Sequence, residues 1–375
     1  MSASGCSRDL AALLALASAQ GVGPATWLNL LSTLKISPSE LVGGNWSPMT
    51  AAQQDQINTL LGRIDQSKID AAHDWQKSDP THHLIGYTDA HYPAMLRHLS
   101  SPPLVLFVKG ELECLTVPFM ALVGSRRASP NGLSLARYIA AQLSQAGLGI
   151  ISGMAAGIDA AAHQGALDVS GPTVAVIGTG ADQIYPRRNR SLHQNIIARG
   201  GAIISEFWPG TPPRPRHFPQ RNRIIAAMAL GTLVIEATIK SGTLITANMA
   251  ANMGRDVFAI PGNIDNPLTA GCHHLLKQGA ILVTGVNDIL DELQLPEQKI
   301  SNTEDLKTAS QQKTHEESLA TDKLLASVNH DVTGVDIICE RSNMPVSQVL
   351  ATLLQYELRG LVAAVPGGYI KLRGK

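Results

Sequence analysis

Six short apolar runs, separated by amphipathic helical segments, constrain this chain more than any other feature. They fall at 119–123, 148–151, 173–177, 202–204, 233–235 and 257–260. A strand that faces water on one side alternates polar and apolar residues. Runs that are apolar throughout fit strands buried on both faces, as in a parallel sheet covered by helices. Strand–helix–strand crossovers are right-handed, so the helices fall on both faces of such a sheet. The loop after every run then lies along one carboxyl edge, where doubly wound sheets bind their ligands.

Those loops concentrate small, basic and amide-bearing residues. Gly124-Ser125-Arg126-Arg127 follows the first run, and Ser152-Gly153 with Gly157 and Asp159 follows the second. Gly178-Thr179-Gly180 follows the third, Ser205-Glu206 the fourth, Glu236 and then Lys240-Ser241-Gly242-Thr243 the fifth, and Pro261-Gly262 the last. Glycine lets backbone approach an anion, and helix N-termini offer unpaired N–H groups. The expected chemistry is one large anion-binding rim.

Charge supports this. The 375 residues carry no net charge and 44% apolar residues, which fits a globular chain and argues against a uniformly basic nucleic-acid binder. Yet residues 119–230 hold eleven Arg, no Lys and four acids, a net of +7, whereas residues 284–322 are net −6. Guanidinium offers paired planar donors that match phosphate oxygens; the bland alternative is a solvated surface that uses Arg for Lys. Aromatic residues make up only 4%, so base stacking has few side chains to use.

Two stretches are the sharpest. Tyr185-Pro186-Arg187-Arg188-Asn189-Arg190 and Phe218-Pro219-Gln220-Arg221-Asn222-Arg223 each set Arg and Asn after Pro at the start of a helix, predicted at 191–199 and 224–230. A basic helix start is unfavourable against the positive end of the helix dipole, so an anion is expected there. Glu206 and Glu236 are placed to hold Arg side chains, and Asp159 to bond loop amides or an Arg. His163, His193 and His217 read as helix or loop histidines. Gly178-Thr179-Gly180 lacks the third glycine of a dinucleotide fingerprint, and Lys240-Ser241-Gly242-Thr243 is no Walker motif, so neither NAD nor ATP hydrolysis is expected. No nucleophile, His or second carboxylate has a spacing that would make Glu206 or Glu236 a catalytic acid. Trp208 and Phe218 are candidate stacking platforms, with buried packing as the competing reading. The Pro-rich stretch 208–216 adds Arg214 and Arg216, which either extend a phosphate track or stiffen the approach to Phe218.

The flanks add smaller units. Residues 8–19 and 25–34 read as helices joined by Gly21-Val22-Gly23-Pro24, the pattern of a helix-hairpin-helix, whose glycine N–H groups meet a DNA phosphate. No Lys or Arg lies between Arg8 and Lys35, which favours an ordinary helical corner. Residues 10–19 resemble a signal-peptide core, but the Gly-Pro turn supplies its own reason for the helix to stop, and secretion is not expected. Helices at 51–64 and 68–77 complete a small all-α domain. Short strands at 84–86 and 104–108 are expected on the edge of the main sheet. Residues 296–318, rich in Glu, Gln, Lys, Ser and Thr without apolar periodicity, read as a flexible linker. Helices at 322–328, 334–341 and 346–358, then a hairpin at 361–372, make a winged helix. Its third helix ends at Arg359, the one basic anchor nearby, so protein contact or weak duplex contact is expected rather than groove reading. Cys6, Cys114, Cys272 and Cys339 lack metal-ligand spacing, which points to reduced thiols, no metal and a cytoplasmic chain. The longest apolar run, 224–235, is too short to cross a membrane, so no membrane insertion is expected.

The order of motifs resembles the DNA-processing protein A family (DprA, also called Smf). That family shows Gly-Ser-Arg, Ser-Gly-x-Ala-x-Gly-Ile-Asp, Gly-x-Gly-x-Asp-x-x-Tyr-Pro-x-x-Asn, Ser-Glu, Phe-Pro-x-Arg-Asn-Arg-Ile-Ile-Ala, a Lys-Ser-Gly-Thr turn and a closing Pro-Gly. They stand here at 124–126, 152–159, 178–189, 205–206, 218–226, 240–243 and 261–262. The resemblance implies an α/β fold: an extended Rossmann-type, doubly wound, mostly parallel sheet at 81–295, after a helix-hairpin-helix or SAM-like domain at 1–80. A linker at 296–319 then leads to the winged helix at 320–375. It further implies a non-catalytic protein, without cofactor, that binds single-stranded DNA and duplex more weakly. Such a protein dimerises, protects incoming DNA and helps load the RecA recombinase in natural transformation. Ser125, Arg126, Arg187, Arg221 and Arg223 would line the phosphate track, with Lys240 and Ser241 on its rim. Gly124, Arg127, Gly153, Gly157, Asn189, Phe218, Asn222 and Gly242 complete the candidate site. Two alternatives stand beside it: an enzyme acting on a phosphorylated nucleoside, and a DNA-binding regulator working through the winged helix.

Overall fold

The computed structural model describes residues 3–294, apart from 45 and 47–49, and residues 323–372, apart from 331. The predicted linker lies outside the described residues. Five helices open the chain: α1 (Ala3–Ser18), α2 (Pro24–Leu34), α3 (Pro38–Val42), α4 (Ala51–Leu61) and α5 (Gln66–Lys77). Pro24 takes the first position of α2 after Gly23, and Gly21 holds φ +73° in the turn before it. The apolar stretch of α1 is core: Leu13, Leu14 and Leu16 are buried with Trp27, Leu41 and Trp75. That core continues into the main sheet, through Leu84, Val105 and Phe107.

The sheet is built from β1 (His82–Gly86), β2 (Val105–Gly110), β3 (Phe119–Val123), β4 (Gly149–Ser152), β5 (Thr173–Val176), β6 (Ala202–Ser205), β7 (Ala229–Val234), β8 (Asp256–Ala259) and β9 (Ile281–Leu282). Its order is β1-β2-β6-β5-β4-β3-β7-β8-β9. The strands from β6 to β9 are parallel, while β1 and β2 add an antiparallel edge, as expected for the 84–108 segment. Between them run α6 (Pro130–Gln145), α7 (Ile158–Asp168), α8 (Arg190–Ala198), α9 (His217–Met228), α10 (Gly242–Asn252), α11 (Ala270–Lys277) and α12 (Val286–Glu292).

Alternation along β3 shows why its run is apolar throughout. Met120 and Leu122 pack on one face against Ile139 and Leu143 of α6, Ile158 of α7 and Ile289 of α12. Phe119, Ala121 and Val123 pack on the other against Ile224 and Met228 of α9 and Leu244 of α10. Both faces are covered, so a polar residue at either parity would be buried without water.

The segment 224–235 corrects the expectation. The helix predicted at 224–230 begins at His217 and ends at Met228, and β7 starts at Ala229 with no intervening loop. Pro219 sits in the first turn of α9, where the backbone N–H it lacks has no helical acceptor anyway.

Beyond the linker, α13 (Lys323–Ala326), α14 (Val335–Ser342) and α15 (Val346–Leu358) precede the hairpin β10 (Val362–Val365) and β11 (Gly368–Lys371). Thr333 and Tyr369 exchange backbone hydrogen bonds of 2.8 and 2.9 Å, which fastens the hairpin to the start of α14. This is the predicted winged helix. Val349, Leu353 and Tyr356 of α15 are buried in its core, whereas Leu350, Leu354 and Leu358 are exposed.

Candidate nucleic-acid interface

The parallel strand order reverses between β3 and β7. The chain steps outward from β3 to β4, β5 and β6 on one side, then from β7 to β8 and β9 on the other. Crevices at such a switch point are the standing ligand sites of doubly wound sheets. A cavity of about 540 Å³ lies there, lined by Gly124, Ser125, Arg126, Arg127, Asp159, Phe218, Arg221, Asn222, Ser241, Gly242, Thr243 and Thr246, among others.

The loop after β3 is held from both sides. Ser125 N–H donates to the Glu236 carbonyl at 2.7 Å, and its own carbonyl accepts from Ile158 N–H at 3.2 Å. Arg127 N–H donates to Ser125 Oγ at 3.1 Å, which folds the loop into a turn and leaves the hydroxyl proton for a ligand. Arg126 is exposed and its guanidinium lies 5.5 Å from the Phe218 ring centroid. Across the cavity, α10 begins at Gly242 with no side-chain cap, no acid in its first turn and open space at Gly242. Ser241 Oγ is buried without a partner among the described residues. This helix start therefore presents free N–H groups and a positive dipole end to an anion.

The floor is a buried ionic network. Asp159, at the start of α7, accepts from the N–H groups of Gly153 at 3.1 Å and Ala155 at 3.3 Å, as expected. Arg221 is only 4% exposed, and its guanidinium donates to the carbonyls of Gly153 and Val176 while Nε donates to Asn222 Oδ1 at 3.0 Å. Burial pushes the Asp159 carboxyl above its ordinary range, opposed by Arg221 and the two amides. Arg221 borders the cavity, but its Nη1 and Nε donors are turned to the loop after β4, the end of β5 and Asn222.

Gly153 and Gly157 serve packing more than ligand approach. A Cβ on Gly153 would strike the Arg221 guanidinium, and one on Gly157, at φ +82°, would run into the Ser125 carbonyl. Gly124 is likewise closed in, by Ile158.

The remaining candidates fall nearby. Arg223 lies on another side of α9, where it pairs with Glu206 and donates to the Ser101 carbonyl at 2.9 Å. The expectation that Glu206 holds an arginine holds here. Glu236 differs: it accepts from Ser129 N–H at 2.9 Å and Ser129 Oγ–H at 2.5 Å, at the start of α6, and holds no arginine. A carboxylate at a positive helix end is satisfied without a cation. Asn189 Nδ2 donates to the Met154 carbonyl at 2.8 Å, which braces the loop after β4, while Arg187 is exposed. Lys240 borders an adjacent hollow of about 400 Å³ that shares Ser241 and Gly242 with the main cavity. Trp208 is a packing residue, edge-on to Phe107 at 5.4 Å; Phe218 keeps one side toward the cavity and meets Tyr185 at 5.5 Å. Sequence reasoning passed over Thr238, Thr243 and Thr246. Thr243, whose Oγ1 donates to the Gly124 carbonyl at 3.1 Å, was visible only as the last residue of the Lys-Ser-Gly-Thr turn.

A count of the arginines in 119–230 shows the design. Arg137 and Arg223 are paired with Asp168 and Glu206, Arg199 donates to the Leu167 carbonyl, and Arg221 is committed below the cavity. Arg126, Arg127, Arg187, Arg188, Arg190, Arg214 and Arg216 remain exposed and, among the described residues, unpaired with any acid. All seven follow the carboxyl ends of β3, β5 and β6.

A profile described as DNA recombination-mediator protein A matches residues 83–294, and one described as the DprA winged helix domain matches residues 308–368. The chain belongs to the DprA/Smf family. Among DprA/Smf relatives, protein Smf of Escherichia coli K12 is 39% identical over 358 residues, which cover 92% of this chain and 95% of that protein. DNA processing protein DprA of Streptococcus pneumoniae R6 is 47% identical over 203 residues, 54% of this chain and 71% of the relative. The X-ray structure of DprA from Streptococcus pneumoniae aligns with a TM-score of 0.62 at 37% identity, over 74% of this chain and 95% of that one. DprA of Helicobacter pylori, whose structure concerns its single-stranded DNA binding mode, aligns at 0.51 with 27% identity, over 56% of this chain and 96% of that one.

Proposed function

We propose that this chain is a non-catalytic single-stranded DNA-binding protein that seats the strand along the carboxyl edge, centred on the switch-point cavity. The observation that carries this reading is the convergence on that one edge of seven exposed arginines that no acid among the described residues pairs, beside an uncapped helix start. Phosphates supply the missing counter-charge, and fork donors without groove-reading geometry make the binding sequence-tolerant. The single-stranded DNA binding of the Helicobacter pylori relative supports the same ligand. Protection of incoming DNA, assistance to a recombinase of the RecA type, a homodimeric state and a cytoplasmic setting complete the proposal.

The phosphorylated-nucleoside enzyme finds less support. It needs a free carboxylate at the phosphate rim, yet Glu206, held by Arg223, and Glu236, held by Ser129, do not border the cavity, and Asp159, which does, is buried and accepts from the N–H groups of Gly153 and Ala155. The regulator reading is weakened by α15, whose exposed face carries Leu350, Leu354 and Leu358 where a groove-reading helix carries phosphate anchors.

Fluorescence anisotropy of labelled oligo-dT across a salt series tests the ligand. Arg126→Ala/Arg187→Ala should weaken binding at least tenfold and make the salt slope shallower by about 1.4. Arg223 is a poor choice for this test, because its removal strands a buried Glu206. Absence of wild-type binding at low salt would overturn the proposal and bring the nucleoside enzyme forward. Recombinase assembly on the strand, timed with and without the protein, tests loading; no acceleration removes that part.

A further inference from the structure

The outer face of α15 is apolar where a groove-reading helix carries polar anchors. Among the described residues, Val346, Leu350, Leu354 and Leu358 stand 49, 41, 57 and 82% exposed. They recur every four residues and so form one ridge along the helix. The neighbouring row, Ser347, Ala351 and Gln355, is exposed as well. Its first two side chains are small and leave a groove beside the ridge. The core of the winged helix is filled from the opposite side of α15, by Val349, Leu353 and Tyr356.

Charge and composition narrow what can cover this ridge. Glu357 is the one charged residue within α15, and its carboxylate accepts from Ala364 N–H at 3.1 Å, which ties it to β10. The ridge therefore offers nothing to attract a basic or an acidic partner. Residues 296–318 of the same chain hold Ile300 and Leu306 as their only large apolar side chains, six positions apart, too few to fill a ridge of four.

A second copy of α15 does fit. In an antiparallel pair with a two-fold axis between Leu350 and Leu354, Leu350 meets the partner's Leu354, and Val346 meets the partner's Leu358. Rows of this spacing that interdigitate make the commonest packing between helices. The two Glu357 carboxylates then stand about 15 Å apart along the axis, beyond the screening length of about 10 Å at 0.1 M salt. A parallel pair would set them side by side.

We infer that α15 is a self-pairing surface, on which the ridge of one winged helix seats in the groove beside Ser347 and Ala351 of a second copy. Its footprint, about 20 by 10 Å, is well short of the roughly 1,200 Å² that stable complexes bury. The pair therefore adds to another dimer contact rather than replacing it, and joins copies that are already held close, where effective concentration favours it. The consequence on DNA, a cooperative filling of long strands, rests on the proposed function above. The pairing itself does not.

Leu350→Lys and Leu354→Glu, both at exposed positions, test the pairing in the full chain. Either alone sets a charge against the partner's leucine. Mixed one to one, the two variants set the new ammonium against the new carboxylate at one contact and leave leucine on leucine at the other. In sedimentation velocity without DNA, each single variant should associate at a concentration about tenfold or more above wild type, and the mixture within about threefold of it. Far-UV circular dichroism should be unchanged throughout. Single variants that associate like wild type would overturn the pairing. A mixture no better than its components would overturn it as well and assign the ridge to a different protein. So would a wild-type chain that stays monomeric up to about 1 mM, the effective concentration that a short tether supplies.

Oligo-dT of about sixty nucleotides has room for several footprints of roughly 4–16 nucleotides. Wild type should fill it with a Hill coefficient near about 2 and each single variant near about 1, while all bind about twelve nucleotides alike. Equal steepness in all three, with pairing intact in sedimentation, would remove the role on DNA alone. Failure of wild type to bind the short oligonucleotide would overturn the proposed function, and sedimentation would still decide the pairing.

Discussion

Arg221 and Arg223 stand two positions apart on α9, and therefore about 200° apart around its axis. One turns under the cavity to the carbonyls of Gly153 and Val176; the other turns to Glu206 and Ser101. Their losses should differ from that of Arg126. Arg221→Ala removes a buried cation and leaves Asp159 and two carbonyls without it, and is expected to cost about 3–5 kcal/mol of stability in urea unfolding. Arg126→Ala should leave the midpoint nearly unmoved while binding falls. His163 carries a different signature. Thr173 Oγ1 donates its single proton to the Ile150 carbonyl at 2.9 Å, so His163 Nδ1 must donate to Thr173 at 2.7 Å, and Nε2 has no partner among the described residues. Burial, then the charge of Arg221, pull the imidazole from 6.5 to about 3. The unfolded chain then binds a proton that the folded chain refuses. Stability contributed by the neutral ring is present above pH 6.5 and is lost as pH falls toward the folded value, by up to tenfold in the folding constant per pH unit. Urea midpoints across this window should flatten in His163→Gln relative to wild type; parallel slopes would contradict the assignment.

The elements were legible in proportion to how local their causes are. Residues 119–123 are apolar because both faces of β3 are covered, and the sequence shows that directly. The junction of α9 and β7 was hidden, because a helix and a strand that meet without a loop share one apolar run and no turn residue marks the change. A helix start predicted at 224 sets Arg221 and Arg223 together at its positive end, on one phosphate track; with α9 starting at His217 they lie inside the helix and turn to different sides. The glycines show the same limit. Gly153 and Gly157 read as room for an anion, but their neighbours are Arg221 and the Ser125 carbonyl, distant in sequence. Gly157→Ala should therefore act on the Gly124–Arg127 turn. A Cβ at φ +82° is strained by about 1–3 kcal/mol and displaces the Ser125 carbonyl. Weaker oligonucleotide binding with unchanged far-UV circular dichroism is expected; full affinity would show that the turn is not part of the grip.

At the scale of the whole molecule, the basic rim and the winged helix are separable in chemistry. The rim's cations follow β3, β5 and β6, whereas α15 has no Lys or Arg within its bounds and shows leucines on its exposed face. Removal of residues 295–375 should leave single-strand affinity within about threefold, because the phosphate contacts that set it remain. A collapse of affinity in that truncation would return the DNA-binding role to the winged helix. The sheet order has a consequence in time. β2 is complete at residue 110, but its partner β6 closes only at residue 205. At about 5–20 residues per second of synthesis, some ten seconds pass between the two. Through that interval Val105, Phe107 and the helices that pack on them wait on a half-built edge, so the nascent chain offers an apolar strand to the cell before the sheet that needs it exists.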